Sequence, residues 1–169
     1  MEVNEYKNFE LTSNSDDALV KKKFNVVDIP GIGYFKEYLL ERIASSKAIL
    51  IFLDSSDRKS LVEVSEFIYD VINEESLDDS TKVIIVCNKS DSKFAKGKDV
   101  IESELTNEVE GKKVMKQKNT LEEQTKVGNL FNLKAKFSFK AYENIYFVES
   151  TKENEFNDLK VLLKNKIFM

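Results

Sequence analysis

Short apolar runs alternate along this chain with segments in which apolar residues recur at helical spacing. The clearest run covers residues 83–87, and residues 48–53 and 144–149 follow the same pattern. A continuous apolar run predicts a buried parallel strand, because helices cover both of its faces. Helical spacing is strongest over residues 61–72 and recurs over residues 156–167. This alternation predicts an α/β fold with a parallel sheet between layers of helices.

Weaker patterns fill the rest of the chain. Residues 6–11 and 23–29 alternate loosely and predict a β-hairpin. Residues 34–44 and 94–109 predict two further helices, and residues 130–139 predict a strand. The chain length fits a single domain.

Residues 110–130 differ from their surroundings because they are very polar and rich in lysine. The composition predicts either a polar surface loop or an extension of the preceding helix. Partial disorder is the favoured interpretation, because few apolar residues are present to anchor the segment.

Composition excludes several classes of function. The 169 residues are 41% hydrophobic and 33% charged, which is typical of a globular domain, and the net charge of −4 argues against direct binding of nucleic acid. The chain has no histidine, so histidine catalysis and histidine metal sites are excluded. Its single cysteine, Cys87, lies inside an apolar run and is predicted to be a core residue. No run is long enough for a membrane helix.

The strongest chemical signal directly follows the apolar run at residues 83–87. It reads Asn88-Lys89-Ser90-Asp91 and lies where ligands bind in open α/β sheets. The Asp91 carboxylate can accept two N–H donors from one edge of guanine, whereas adenine would leave it unpaired. Asn88 offers donors and an acceptor, and the stem of Lys89 can cover a flat base. The alternative is an ordinary polar turn.

Two further strand ends carry polar residues. Asp28-Ile29-Pro30-Gly31 follows one strand; the Gly31 N–H can approach a γ-phosphate closely, and Asp28 can hold Mg²⁺ through water. Ser150-Thr151-Lys152 follows the last strand and offers backbone N–H groups to a guanine carbonyl oxygen. The alternatives are a tight turn for the first segment and a helix N-cap for the second.

The order of these three motifs resembles that of Ras-like small GTPases. Within that class the closer resemblance is to the β subunit of the signal recognition particle receptor, over most of residues 24–167. The carrying residues are Val27-Asp28-Ile29-Pro30-Gly31, Leu39-Leu40-Glu41-Arg42, Asp54-Ser55, Glu66-Phe67-Ile68-Tyr69-Asp70-Val71, Cys87-Asn88-Lys89-Ser90-Asp91 with Ala95-Lys96, and Phe147-Val148-Glu149-Ser150-Thr151-Lys152. The resemblance implies a Ras-like P-loop NTPase fold with three α/β/α layers.

The chain also departs from that pattern. The phosphate-binding loop Gly-x-x-x-x-Gly-Lys-Ser/Thr is missing, together with the family's first strand and first helix. We therefore expect residues 1–169 to form one partial GTPase domain, truncated at its N-terminus. Ile32 follows Gly31 where many GTPases have glutamine. Because isoleucine cannot orient an attacking water, no catalytic residue is assigned and very slow or absent hydrolysis is expected.

The missing strand raises a question of folding. In the family it lies between the strands predicted here near residues 24–28 and 48–53. Its removal would leave unpaired backbone groups on both sides. Either the sheet closes up, or the slot is filled, or the chain folds poorly as an incomplete product, which is the favoured interpretation.

The resemblance implies binding of GTP with Mg²⁺, at least in an intact parent protein. It implies docking of the receptor α subunit at the cytoplasmic face of the endoplasmic reticulum membrane during co-translational targeting. The ribosome and the translocon are further candidate partners. Membrane attachment is expected only through an absent N-terminal helix, so this chain alone is expected to be soluble. The alternatives are an Arf- or Sar-type trafficking GTPase and a nucleotide-free pseudo-GTPase interaction module.

Overall fold

A computed structural model describes residues 2–15, 18–31, 35–119, 135–151, 153 and 156–167. Five strands and four helices alternate in the described chain. Their bounds are β1 Asn4–Ser15, β2 Ala18–Asp28, α1 Lys36–Ile43, β3 Ala48–Asp54, α2 Arg58–Asn73, β4 Lys82–Asn88, α3 Lys98–Asn119, β5 Ile145–Glu149 and α4 Asn157–Ile167. None of the described helices is long and apolar enough to cross a bilayer.

The parallel sheet has the strand order β3-β4-β5. Its central strand, β4, is almost entirely buried, because helices pack against both of its faces. Ile85 and Cys87 belong to the core cluster that includes residues of α2 and α3, whereas Ile84 and Val86 pack with Leu159 of α4. The α/β architecture predicted from the apolar runs is therefore confirmed.

The helix α2 has the cap and the amphipathic spacing of apolar residues that its sequence predicted. Asp57 caps its first turn by accepting a hydrogen bond from the Lys59 N–H at 2.9 Å. Its buried positions recur at spacings of three and four, which places them on one face. These buried residues are Leu61, Val64, Ser65, Ile68, Val71 and Ile72.

The hairpin predicted near the N-terminus is present but longer than its sequence pattern. β1 and β2 form an antiparallel sheet of their own, with a bulge between Tyr6 and Phe9. Glu5 anchors this hairpin to α1, accepting hydrogen bonds from Arg42 at 2.9 Å and from the Tyr38 hydroxyl at 2.8 Å. β2 and β3 belong to separate sheets, so the described sheet has not closed up across the expected gap.

Two expectations for the middle of the chain differ from the structure. The helix α3 begins at Lys98, four residues later than predicted, and continues to Asn119, so residues 110–119 are helical and the favoured disorder was wrong there. The strand predicted for residues 130–139 is absent from the described part of that segment, where residues 139–141 form a 3-10 turn. Residues 120–134, within both predictions, lie outside the described residues.

Contacts distant in sequence explain both differences. Lys113 of α3 is buried and its ammonium donates to the Ala135 carbonyl, and the Glu110 carboxylate of the same helix accepts the Phe137 N–H at 2.7 Å. Phe137 and Phe139 are both buried and meet edge to face, with ring centroids 4.8 Å apart. The segment thus packs into the core as a turn and needs no strand partner.

We predict that Glu110→Ala lowers the free energy of unfolding by about 1–3 kcal/mol, because it removes the acceptor of a partly buried backbone N–H and a carboxylate beside the buried Lys113 ammonium. Chemical denaturation monitored by circular dichroism measures this change. Glu102→Ala on the same helix is the matched control and should change stability much less. Equal stability of the two variants would contradict the proposed role of Glu110.

Candidate functional site

The carboxyl ends of β3, β4 and β5 lie side by side because the three strands are parallel and in register. Asp54 pairs with Asn88, and Cys87 pairs with Glu149. The loops beyond these ends are joined by backbone hydrogen bonds, from Ser55 N to Asn88 O at 2.9 Å and from Ser150 N to Cys87 O at 2.9 Å. The sheet therefore brings together the motif at residues 88–91 and the start of the motif at residues 150–152.

Asn88 and Ser150 form the direct link between these two motifs. The Ser150 hydroxyl donates to Asn88 Oδ1 at 2.9 Å, and Ser150 is completely buried. Because this bond uses the amide oxygen, it orients the Asn88 side chain and leaves its N–H₂ group as a donor. The Ser150 carbonyl also accepts the Ser90 N–H at 3.2 Å.

Lys89 pairs with Asp54, an acid to which the sequence analysis gave no role in the site. Its backbone is left-handed, with φ of 57°, and its ammonium lies 2.6 Å from Asp54 Oδ2. Asp54 Oδ1 accepts the Ser56 N–H and hydroxyl at 2.9 and 2.6 Å. The hydrogen bond from Lys89, followed by those from Ser56, lowers the pKa of Asp54 to about 2. The one sequence signal for this role was an acid at the end of the neighbouring strand.

Asp91 stands in a loop that is held at both ends. The loop is fixed by the Ser90 bond before Asp91 and, after it, by the Lys96 N–H, which donates to the Ser55 carbonyl at 2.9 Å. The Lys96 ammonium also binds Glu104 of α3 at 2.6 Å. Asp91 itself is exposed, and no described residue forms a hydrogen bond or ion pair with its carboxylate. The loop backbone is thus fixed on both sides of Asp91, while the carboxylate itself is exposed to solvent.

The structure shows fewer contacts between the remaining predicted site residues and the motif at residues 88–91. Thr151 is half-buried beside Ser150, and Lys152 lies outside the described residues. Asp28 ends β2 in the other sheet, and no described hydrogen bond or ion pair joins Asp28 or Gly31 to the loops of the parallel sheet. A Cβ added to Gly31 would meet no described atom within 4 Å.

The polar groups at this edge of the sheet include a buried hydroxyl and isolated carboxylates. Ser55, between β3 and the Asn88 loop, has a buried hydroxyl without a hydrogen-bond partner in the described chain. This hydroxyl can satisfy bound water or a ligand at the same edge of the sheet. Among the residues searched, no group of three or more acidic or thiol side chains could hold a metal by itself. A single carboxylate such as Asp28 suits Mg²⁺ that keeps most of its waters and its phosphate ligands.

Cys87 is not part of the chemistry at this edge. Burial, followed by the nearby Glu149 carboxylate, raises the pKa of the Cys87 thiol to about 12. At neutral pH the group is therefore a protonated thiol, which is a poor nucleophile. This agrees with its interpretation as a core residue.

We predict that Lys89→Met raises the pKa of Asp54 toward its ordinary value of 3.8, because the strongest hydrogen bond to the carboxylate is lost. A folded-state pKa below the unfolded value means that the carboxylate stabilises the fold above the ordinary pKa and loses this effect as pH falls through about 2. The carboxyl carbon of Asp54, followed by NMR during acid titration, measures the change. Lys93→Met is the control, because it removes a nearby lysine that does not bind Asp54, and it should leave the Asp54 titration unchanged. An unchanged Asp54 titration in Lys89→Met would exclude the pair in solution.

Known proteins resemble this chain in both sequence and fold. The family model for the signal recognition particle receptor beta subunit matches residues 6–161. Among curated relatives, the mouse receptor subunit beta is 32% identical over 108 residues, covering 58% of this chain and 40% of the relative. The subunit of Saccharomyces cerevisiae is 34% identical over 99 residues, covering 52% and 41%. The chain thus matches well under half of the length of these relatives.

Solved structures give the same fold. The mammalian signal recognition particle receptor matches with a TM-score of 0.75 and 22% identity, covering 98% of this chain and 82% of that chain. A Chaetomium thermophilum receptor complex described as SRb-GTP/SRX matches with a TM-score of 0.67 and 17% identity, covering 88% and 71%. The mixed α/β fold with its parallel sheet is therefore Ras-like, as the motifs predicted.

Proposed function

The chain belongs to the signal recognition particle receptor beta subunit family, and we propose that it binds the guanine base of GTP at the edge formed by the ends of β4 and β5. The observation that carries this proposal is the bond from the Ser150 hydroxyl to Asn88 Oδ1, which joins two separate predicted motifs at 2.9 Å. An ordinary polar turn would not require a buried serine from another strand to orient its asparagine.

Each residue at this edge has a distinct task in the proposal. Asp91 accepts two N–H groups of guanine, and the Asn88 N–H₂ group donates to the base. The stem of Lys89 lies along the base while Asp54 holds its ammonium at 2.6 Å. The backbone N–H groups of Ser150, Thr151 and Lys152 approach the carbonyl oxygen of the base.

The phosphates would extend toward Asp28 and Gly31. The Gly31 N–H donates to the γ-phosphate, and Asp28 holds Mg²⁺ through water. When bound, Mg²⁺ neutralises phosphate charge. Hydrolysis is very slow or absent in this proposal, because Ile32 offers no polar group to position a water. GTP then acts as a structural ligand that controls a partner surface.

The proposed partner is the receptor α subunit, held at the cytoplasmic face of the endoplasmic reticulum membrane during co-translational targeting. Family membership and the described GTP-bound complex of the Chaetomium protein with SRX support this choice. Contacts with the ribosome or the translocon belong to the same proposal, since targeting delivers ribosomes to the translocon.

A second candidate is a nucleotide-free interaction module. It is favoured by the absence of a Gly-x-x-x-x-Gly-Lys-Ser/Thr motif from the sequence, because that loop supplies the phosphates with N–H groups and a lysine. This module would bind the α subunit by shape alone. An Arf- or Sar-type role is disfavoured, since the family model matches the receptor subunit.

We predict that the purified chain binds labelled GTP more tightly than labelled ATP, and that Asp91→Ala reduces this preference by about tenfold or more. The carboxylate provides the preference because only guanine offers it two N–H donors. Asp79→Ala, another exposed acid in a loop, should leave the preference unchanged. Equal GTP and ATP affinities in the unsubstituted chain would refute guanine recognition, and absence of any binding would favour the interaction module.

We further predict that GTP strengthens binding of the α subunit, because the proposed ligand orders the loops that face the partner. Calorimetric titration of the α subunit with and without GTP measures the difference. Asp91→Ala should reduce the effect of GTP while leaving nucleotide-free binding intact. Equal affinity for the α subunit with and without GTP would support recognition by shape alone.

A further inference from the structure

An open cavity of about 350 Å³ lies at the amino ends of β3 and β4, at the opposite end of the sheet from the candidate guanine site. It is lined by the loop between α1 and β3, the loop between α2 and β4, and the last residues of α4. The strand β3 has seven residues, so about 20 Å separate the cavity from the strand ends that carry the candidate site. A ligand in this cavity is therefore independent of the motif at residues 88–91.

Hydrogen bonds fix the two loops of the cavity to each other. The hydroxyl of the buried Thr81 donates to the Ser46 carbonyl at 3.0 Å, and the Lys82 N–H donates to the Lys47 carbonyl at 3.1 Å. The Thr81 carbonyl accepts the side-chain amide of the buried Asn144, which precedes β5, at 2.9 Å. The walls are held in place before any ligand binds, which lowers the entropic cost of binding.

Three lysines from different elements line the cavity. They are Lys47, Lys82 and Lys166, and none of them forms an ion pair with a carboxylate in the described chain. Lys82 is half-buried and lies on the same face of β4 as Ile84, which is the face that α4 covers. Lys166 belongs to the last turn of α4. The fold thus brings three ammonium groups to the border of one cavity.

Helix capping does not account for this arrangement. Lysines are common near helix C-termini because their charge offsets the helix dipole. At the end of α1, however, the Arg42 carbonyl already accepts the Ser45 and Ser46 hydroxyls at 3.1 and 2.7 Å. Lys47 and Lys82 lie at the starts of strands, so a ligand explains their placement better than a helix end does.

The other polar groups of the lining are engaged within the protein. Asp78 is the one acid among the lining residues, and its carboxylate accepts the Ser80 N–H of its own loop at 2.7 Å. The hydroxyls of Ser45, Ser46 and Thr81 already donate to backbone carbonyls. The ammonium groups are therefore the donors that the cavity offers to a ligand.

We propose that this cavity binds a phosphate monoester, carried either by a lipid headgroup or by a small free molecule such as a sugar phosphate. A phosphate monoester has a charge of about −1.5 to −2 at pH 7 and three strong acceptor oxygens. These match three lysines opposed by a single aspartate. A carboxylate has one charge and two oxygens, so it would leave part of the lysine cluster unmatched.

Size and charge also exclude a larger polyanion. The volume of about 350 Å³ is at the lower end of cavities that bind small molecules. The chain as a whole carries a net charge of −4, so an extended polyanion such as nucleic acid would be repelled where it leaves the cavity. A compact phosphate ester contacts only the positive region.

The first test titrates glycerol phosphate into the isotope-labelled full-length chain and follows the backbone amides by NMR. Glycerol is the uncharged comparison. We expect saturable shifts at residues 45–47 and 80–82 that glycerol does not produce, and no shifts at residues 88–91. Asp91→Ala should bind glycerol phosphate as the unsubstituted chain does, so failure of guanine binding leaves this test intact.

Vesicles distinguish the two sources of phosphate. Phosphatidic acid in phosphatidylcholine vesicles presents a phosphate monoester, whereas phosphatidylglycerol presents a phosphodiester. Stronger sedimentation of the chain with phosphatidic acid than with phosphatidylglycerol, at equal surface charge, identifies the lipid headgroup. Equal sedimentation with both vesicles, together with binding of glycerol phosphate, identifies a free ligand.

Substitutions locate the contact. Lys47→Gln with Lys82→Gln should weaken the binding of the phosphate monoester by about tenfold or more, because two charge-assisted hydrogen bonds are lost. Lys59→Gln with Lys160→Gln is the matched control, since it removes the same charge from exposed positions on α2 and α4. The control pair should leave the affinity unchanged.

A substitution in the opposite direction gives a second measurement if the lysine pair lowers stability. Asp78→Asn removes the acid of the lining but keeps the side-chain oxygen that accepts the Ser80 N–H. We expect it to strengthen binding by about twofold or more, because a charge that repels the phosphate is lost.

Two results would overturn the proposal. The first is the absence of local shifts with glycerol phosphate together with equal sedimentation with the two kinds of vesicle. The second is an equal loss of affinity in the two double-lysine variants, since the net charge of the chain would then explain the binding without this cavity.

Discussion

The parallel pairing of β4 with both of its neighbours is the constraint on which the rest of the structure depends. Since Ile84 and Val86 face α4 while Ile85 and Cys87 face α2 and α3, one strand organises the main core on both sides of the sheet. The same pairing aligns the carboxyl ends of three strands at one edge. The packing of the core and the grouping of the candidate site residues are therefore consequences of a single arrangement of strands.

The candidate site is held by bonds between loops, and each of these bonds depends on the strand register. Ser150 can reach Asn88 because β5 ends beside β4, and Lys89 can reach Asp54 because β3 ends on the other side. The left-handed backbone of Lys89 is an uncommon conformation for a residue with a side chain, and it occurs where the loop turns toward Asp54. The site is thus preorganised by the fold, whereas the Asp91 carboxylate remains exposed.

Among the strands that the structure describes, only β4 pairs with β3, which is therefore an edge strand of the described parallel sheet. In the described residues, β2 and β3 belong to different sheets. Glu5 of β1 connects the hairpin to α1 by accepting a hydrogen bond from Arg42. In the same helix, Ile43 packs with Ile49 of β3. Within the described residues, β4 and the helices on its two faces form the main core, and the hairpin is attached to it through α1.

The sequence by itself determined the buried strands, the amphipathic face of α2 and the order of the strand-end motifs, because each of these is a pattern of neighbouring residues. The tertiary structure alone decided the pair of Lys89 with Asp54 and the turn at residues 139–141. It also decided the extension of α3, which carries the buried Lys113 bonded to Ala135. The contacts of Lys113 with Ala135 and of Lys89 with Asp54 join groups that lie 22 and 35 positions apart along the chain. No local periodicity records such contacts, since they exist only after the strands and helices have packed.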